Sequence, residues 1–328
     1  MPAILTEQLT KHFPPDIEAV NGIDLSIDDG RIFGFLGQNG SGKTTTVRML
    51  TTLLRPTSGR AYVDGLDVLA QAAAVRTRIG VALQEAGLDD VQTGRELLRL
   101  QARLYGVPRI QIEDRISRLL GVVDLEEAAD RTIKTYSGGM KRRLDLAAAL
   151  VHQPKIVFLD EPTTGLDPIG REAIWRYVEV LNREEGVTFF LTTQYLEEAD
   201  RLSHEVAIVD KGRIVAEGSP EELKESIGTD VVTVKVPSGD GYAARAAEVL
   251  GRLDGASEVR TLGDSVVIYI KDGSAAISPI VLRLSEASIP VQEVTLARPT
   301  LDDVFLRKTG YHIEGETTAA APAGTKSR

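Results

Sequence analysis

The stretch Gly37-Gln38-Asn39-Gly40-Ser41-Gly42-Lys43-Thr44-Thr45 sets the tightest limit on what this chain can fold into. It fits the pattern G-x-x-x-x-G-K-[ST], and it lies between the apolar run Ile32-Phe33-Gly34-Phe35-Leu36 and a helical-looking segment from Thr46 to Leu54. Strand, glycine-rich loop and helix in that order make a phosphate-binding loop. The glycines let successive main-chain N–H groups turn inward on phosphate oxygens, and the helix that follows presents its positive end to them. Lys43 is placed to reach the β- and γ-phosphates, and the Thr44 hydroxyl is a ligand for Mg2+. The local pattern therefore predicts a nucleotide site.

A phosphate loop alone does not separate a kinase from a GTPase or a transport motor. Ile156-Val157-Phe158-Leu159 is a continuous apolar run of strand length, as expected of a central parallel strand buried on both faces, and it ends in the adjacent carboxylates Asp160-Glu161. In a phosphoryl-transfer site the first carboxylate can hold Mg2+ through water, and the second can orient and polarise the attacking water. An acidic turn after a core strand is the alternative, and the phosphate loop upstream weighs against it.

Between these two motifs stands Tyr136-Ser137-Gly138-Gly139-Met140, followed by Lys141-Arg142-Arg143 and a helical stretch from Leu144 to Val151. The Ser137 hydroxyl and the N–H groups of Gly138 and Gly139, at the start of a helix, form a second anion-binding surface. The ordered set resembles the ATP-binding subunits of ABC transporters: the phosphate loop, Gln84 after the strand-like Ile79 to Leu83, the Ser-Gly-Gly signature, and Leu159-Asp160-Glu161-Pro162-Thr163-Thr164-Gly165-Leu166-Asp167. That resemblance covers about the first 220 residues.

It implies ATP and Mg2+ as cofactors and a head-to-tail homodimer, in which the signature of one chain closes over the γ-phosphate held by the other. By the same resemblance Asp167 sits in the loop crossing between the two sites, and Gln84 contacts Mg2+ and water and senses a membrane partner. Phe13 falls where the family places an aromatic that stacks on adenine; core packing is the other reading. Lys141 to Arg143 receive no catalytic role.

One position departs from the family pattern. After the apolar strand Val187 to Leu191 the chain reads Thr192-Thr193-Gln194-Tyr195-Leu196-Glu197-Glu198-Ala199-Asp200, and the family usually carries histidine where Gln194 stands. An amide can hydrogen-bond a phosphate oxygen, but it cannot become cationic as an imidazole can. Gln194 is expected to act as a neutral γ-phosphate linchpin while Glu161 carries hydrolysis. His12, His152, His204 and His312 read as surface residues rather than substitutes.

With 328 residues and 42% hydrophobic content the chain is large enough for more than one domain and a sizeable core. No segment approaches the about 18 consecutive apolar residues of a membrane span. The start, Met1-Pro2-Ala3-Ile4-Leu5-Thr6, lacks a basic region and a long apolar core, so the expected location is the cytoplasmic face of the membrane, reached through a partner. The absence of cysteine excludes disulfides and thiol chemistry. A formal charge of −10 argues against nucleic acid as a partner.

The expected fold class is α/β. Residues 1–228 form a P-loop ABC-type nucleotide-binding domain, with a helical subdomain at about 93–135 whose apolar faces come from Leu97, Leu98, Leu100, Leu104, Ile116, Leu119 and Leu120. By resemblance that subdomain carries the signature and faces the membrane subunit, with Glu85 to Thr93 near the contact; an ordinary surface loop is the alternative there. Residues 229–310 read as strand, helix, two strands, helix, strand, a small α+β ferredoxin-like βαββαβ domain suited to regulation or dimer stabilisation. Residues 311–328 are rich in small polar residues and read as a disordered tail.

The segment Pro299-Thr300-Leu301-Asp302-Asp303-Val304-Phe305-Leu306-Arg307-Lys308-Thr309-Gly310, taken with the signature and Thr192 to Tyr195, resembles the daunorubicin-resistance type of ABC exporter ATPase. Members of that group work with a separate membrane protein and export hydrophobic drugs. The first expectation is thus an ATP-hydrolysing exporter subunit working through a multi-spanning permease, with drug-like or lipid-like cargo. The alternative is a soluble ABC ATPase acting on ribosomes or nucleic acid, a class that commonly carries two motif sets or a long coiled coil; this chain has one set and no sustained heptads. A weaker third reading is an ATP-binding switch with little turnover because of Gln194, against which Glu161 argues.

Overall fold

Parallel strands buried on both faces favour near-continuous apolar runs, and Ile32–Leu36, Ile156–Asp160 and Thr188–Thr193 are buried at each position, with polar side chains confined to strand ends. The computed structural model describes residues 2–84, 87–227 and 230–311. They fall into two compact units, one ending at Glu217 and the other beginning at Gly218.

The first unit opens with β1 (Ile4–Phe13), β2 (Ile17–Ile27), β3 (Ile32–Leu36), α1 (Lys43–Leu50), β4 (Ser58–Val63), β5 (Leu66–Asp67), α2 (Ala72–Arg78) and β6 (Ile79–Ala82). Two helices follow, α3 (Gly94–Leu104) and α4 (Arg109–Val122), then α5 (Gly138–Leu150), β7 (Ile156–Asp160), α6 (Pro168–Glu185), β8 (Thr188–Thr193), α7 (Leu196–Leu202), β9 (Glu205–Asp210) and β10 (Arg213–Gly218).

The central sheet has the order β10-β9-β3-β8-β7-β6, with parallel pairing from β9 through β6. Its side chains alternate between two cores, as the period of two in a strand requires. Phe33, Phe35, Phe158 and Phe190 face one side, toward α1 and the antiparallel sheet β2-β1-β4-β5; Val157, Leu159, Phe189 and Leu191 face the other, toward α5, α6 and the helical subdomain. On the first side Phe190 contacts the rings of Phe33, Phe35 and Phe158 at centroid distances of 5.4–5.7 Å.

Several element limits differ from expectation for local reasons. Helix α1 begins at Lys43 and stops at Leu50, because the Leu53 and Leu54 N–H groups turn back onto the Arg48 carbonyl. The expected helical run from Thr93 to Lys134 is broken at Gly106 (φ +73°) and Pro108, and ends at Val122 before a loop and a short 3-10 turn at Ile133–Thr135. Leu100 and Leu104 are exposed, at 42% and 71%, rather than part of that subdomain's core.

The second unit contains α8 (Pro220–Glu225), β11 (Asp230–Lys235), α9 (Tyr242–Leu250), β12 (Ala256–Leu262), β13 (Ser265–Ile270), α10 (Gly273–Glu286), β14 (Glu293–Ala297) and α11 (Leu301–Thr309). Its antiparallel sheet has the order β12-β13-β11-β14, the ferredoxin-like arrangement expected from the βαββαβ sequence. Val232, Val234, Val266 and Ile268 pack on Ala246, Leu250, Ile280 and Leu284 of α9 and α10. The expected tail beyond Tyr311 lies outside the described residues, as do Glu85 and Ala86 of the expected contact segment. Among the described residues no helix is long and apolar enough to cross a membrane.

Candidate nucleotide site

The phosphate loop joins the C-terminal end of β3 to α1, the crevice where open α/β sheets bind ligands. Gly37 is held by its N–H donating to the Thr193 carbonyl at 3.1 Å, at the end of the neighbouring strand β8. Two glycines are required by space. A Cβ on Gly37 would lie 2.5 Å from the Ser41 hydroxyl and the Val209 carbonyl, and one on Gly42 (φ +105°) would lie 2.3 Å from the Ala19 carbonyl. Gly40, also at positive φ, has open space beside it.

Lys43 bends back over the loop and donates to the carbonyls of Gly37 (2.7 Å) and Gln38 (3.0 Å). Its Nζ also lies 3.3 Å from Glu161 Oε1, with both side chains nearly fully buried. Burial pulls the Lys43 ammonium below its ordinary pKa, and the neighbouring carboxylates of Glu161 and Asp160 oppose that shift. In Thr45 and the rest of α1's first turn the main chain continues the loop into the helix.

Asp160 ends β7. Its Oδ1 accepts from the Thr192 hydroxyl at 2.6 Å and from the Thr44 hydroxyl at 3.2 Å, while its buried Oδ2 has no hydrogen-bond partner among the described residues. An orphaned carboxylate oxygen beside a loop threonine is the donor set a hydrated Mg2+ uses. Glu161 takes a left-handed backbone (φ +50°), a conformation that costs a non-glycine residue about 1 kcal/mol or more. Its N–H donates to both the main-chain and side-chain oxygens of Thr192, each at 3.1 Å, which holds the turn. Its second carboxylate oxygen accepts from the Gln84 amide (3.4 Å) and the Thr164 hydroxyl (3.3 Å). Thus Lys43, Thr44, Gln84, Asp160 and Glu161 are linked in one cluster, with Lys43, Asp160 and Glu161 buried, Thr44 half-buried and Gln84 exposed.

Gln194 directly follows Thr193, whose carbonyl anchors Gly37, so its main chain borders the phosphate loop; the residue is half-buried. Phe13 is half-buried at the end of β1 and is not among the described residues of the two cores that flank the central sheet; Lys11 Nζ lies 5.1 Å from its ring centre.

Ser137 caps α5, its hydroxyl accepting from the Met140 N–H at 3.2 Å, and Ser137 and Gly138 are exposed. Asp167 caps α6 in the same way, accepting from the Gly170 N–H at 3.0 Å. Ser137, Gly139 and Asp167 line one cleft of about 370 Å³ together with Met140, Ile169 and Arg176. No residue from Gly37 to Thr45 lines that cleft. The two anion-binding surfaces are therefore presented separately.

Sequence reasoning missed several supports. Thr192 fastens both Asp160 and the Glu161 turn. Arg142, left without a role above, is buried and reaches main-chain carbonyls on both sides of Glu161. Glu198 is fully buried and accepts from Thr163 and Trp175, each at 2.9 Å; burial pushes its carboxyl up. A buried charge in an otherwise apolar helical face was the available signal for Arg142, and its partners are distant in sequence. Among the histidines, His152 is not a surface residue: it stacks on Tyr105 at 3.8 Å and its Nε2 contacts the Ile79 carbonyl. His204 is exposed and its Nδ1 accepts from the Ile32 N–H, and His312 lies outside the described residues.

Comparison with known proteins gives two profile matches: residues 20–164 match the ABC transporter family, and residues 218–309 match the C-terminal domain of DrrA1-3-like ATP-binding proteins. The chain is 46% identical over 296 residues to daunorubicin resistance ATP-binding protein DrrA3 of Streptomyces coeruleorubidus, covering 90% of this chain and 92% of that one. It is 40% identical to daunorubicin/doxorubicin resistance ATP-binding protein DrrA of Streptomyces peucetius, covering 97% and 96%. Among solved structures it resembles the dimeric post-hydrolysis state of the ATP-binding cassette MJ0796 bound to ADP and Pi, with a TM-score of 0.60 and 25% identity over 66% of this chain and 98% of that one.

Proposed function

Because the chain belongs to the ATP-binding subunits of ABC transporters and hydrolyses ATP, we propose that it drives an exporter of hydrophobic drug-like or lipid-like molecules. The observation that carries the catalytic part is the buried cluster of Lys43 with Glu161, closed by Gln84, Thr164 and the Thr44–Asp160 pair.

In this reading the N–H groups from Gly37, Gln38, Asn39, Gly40, Ser41, Gly42, Lys43, Thr44 and Thr45 cradle the phosphates, and Phe13 stacks on adenine. Thr44, Asp160 and Gln84 would hold Mg2+, which neutralises charge on the β- and γ-phosphates. Glu161 orients the attacking water and accepts its proton, and Gln194 donates to the γ-phosphate. Lys43 must exchange Glu161 for phosphate, so nucleotide binding frees the carboxylate for water.

The separation of the signature cleft from the phosphate loop favours a head-to-tail homodimer, in which Ser137, Gly138 and Gly139 of one chain reach the nucleotide of its partner and Asp167 lies at the crossing. A separate membrane permease would carry the cargo, placing this subunit at the cytoplasmic face. The unit ending at Glu217 would then be the motor and the one beginning at Gly218, about ten residues before the expected boundary at 228, a regulatory or dimer-stabilising domain. The full-length likeness to resistance ATP-binding proteins gives no support to a ribosome- or nucleic-acid-acting ATPase.

The test is to purify the Glu161→Gln protein with ATP from gently solubilised native membranes. A multi-spanning membrane protein in near-equal amount supports the exporter reading. Ribosomes or nucleic acid in its place would overturn it.

A further inference from the structure

Arg142 stands five residues beyond Ser137 on α5, roughly 7.5 Å along the helix axis at the usual rise. Its guanidinium is buried under the site and donates to three main-chain carbonyls: Nη1 to Leu83, Nη2 to Asp160 (2.8 Å) and Nε to Pro162 (2.9 Å). Leu83 immediately precedes Gln84, and Asp160 and Pro162 immediately flank Glu161. The same two residues meet each other, Gln84 Nε2 lying 3.4 Å from Glu161 Oε2. One planar cation therefore holds the main chain on both sides of the carboxylate and on the near side of the amide that touches it.

Only an arginine can do this. Its donors stand in a fixed fork, whereas an ammonium is a point charge that cannot span three carbonyls from one place. The buried charge is answered by those carbonyl dipoles and by Asp145, 3.5 Å away on the same helix.

We propose that Arg142 is a positioning residue that couples the two ATP sites of the dimer: it ties the signature end of α5 to the placement of Glu161 and Gln84 in the chain's own site. The proposal rests on the head-to-tail reading above. When Ser137 to Gly139 close on the partner's nucleotide, α5 moves as a rigid rod and carries the guanidinium with it. The carbonyls of Leu83, Asp160 and Pro162 follow. Displacements near 1 Å at reacting groups change rates by about a hundredfold, so a small shift of α5 is enough to set hydrolysis in one site by occupancy of the other.

The experiment compares full-length wild type and Arg142→Lys for steady-state ATP hydrolysis, equilibrium ATP binding, and melting followed by Trp175 fluorescence. Expected for Arg142→Lys are a kcat lowered roughly 10- to 100-fold, a KM and an ATP affinity within about threefold, and a Hill coefficient falling from above 1 to about 1. A purely structural role would lower the melting temperature and active fraction without changing the Hill coefficient, and that result overturns the proposal. If Arg142→Lys does not fold, Arg142→Gln, which leaves no unpaired buried cation, is measured in the same way. Failure of both variants to fold would assign the guanidinium to the fold alone.

The dimer reading is checked separately with Glu161→Gln and ATP by size-exclusion chromatography. No dimer there, or a non-cooperative wild type, removes the coupled-site reading and this inference with it. A cooperative wild type with an unchanged Arg142→Lys removes only the role of Arg142.

Discussion

Lys43 Nζ lies 3.3 Å from Glu161 Oε1, and the two side chains are 3% and 5% exposed. On the proposed mechanism the side chain that binds phosphate is thus paired with the one that activates water, and ATP would displace Glu161 from Lys43 and release its carboxylate.

Glu161→Gln should lower turnover by about 10²- to 10³-fold, the scale of losing a general base. It should also tighten ATP binding by about threefold to tenfold, because Lys43 no longer leaves a carboxylate to reach the phosphates. Phosphate release and calorimetric titration measure the two effects separately. Weaker binding in this variant would show that the pair does not compete with nucleotide.

Lys43→Ala should weaken ATP binding by roughly 10- to 100-fold, the worth of a charge-assisted hydrogen bond in a buried site. The melting temperature should fall, because the change leaves the buried Glu161 carboxylate without its cation. Titration with a fluorescent ATP analogue, beside a thermal melt, checks both statements.

Gln194 makes a different test through pH. Gln194→Ala should cut kcat by about threefold to tenfold with little change in KM, the range of one neutral hydrogen bond. Wild-type kcat should show no inflection attributable to an imidazole at this position, whereas Gln194→His should introduce one near 6.5. Unchanged turnover in the alanine variant would remove Gln194 from the site.

Asp145 gives a stability prediction. Burial pushes its carboxyl up to about 6 from 3.8, against the pull of Arg142. Between those values the folded chain keeps a proton that the unfolded chain has lost, so native stability falls as pH rises through the window and stays lower above it. The gap of about two units corresponds to a loss on the order of 3 kcal/mol. In Asp145→Asn that loss is absent. Urea unfolding from pH 4.5 to 7.5 should show the variant gaining on wild type as pH rises.

The second unit illustrates how far pattern alone reaches. Alternating apolar residues such as Val232 and Val234, set between turn residues, sufficed for the order of its strands and helices, and the split βαβ connection then leaves one economical sheet order. Phe13 shows the limit. An aromatic near a strand end reads equally well as core or as exposed, and only the packed sheets show that it lies outside both cores.

What the sequence alone determined is whatever contiguous residues impose: a glycine-rich loop between a strand and a helix, apolar runs of strand length, and carboxylates at a strand end. Folding decided the rest. Thr192 reaches Asp160 across 32 positions, Thr163 reaches Glu198 across 35, and Arg142 reaches Leu83 across 59. A hydrogen bond of that kind has no local signature, because its donor and acceptor are ordinary residues until the fold brings those two atoms within about 3 Å of one another.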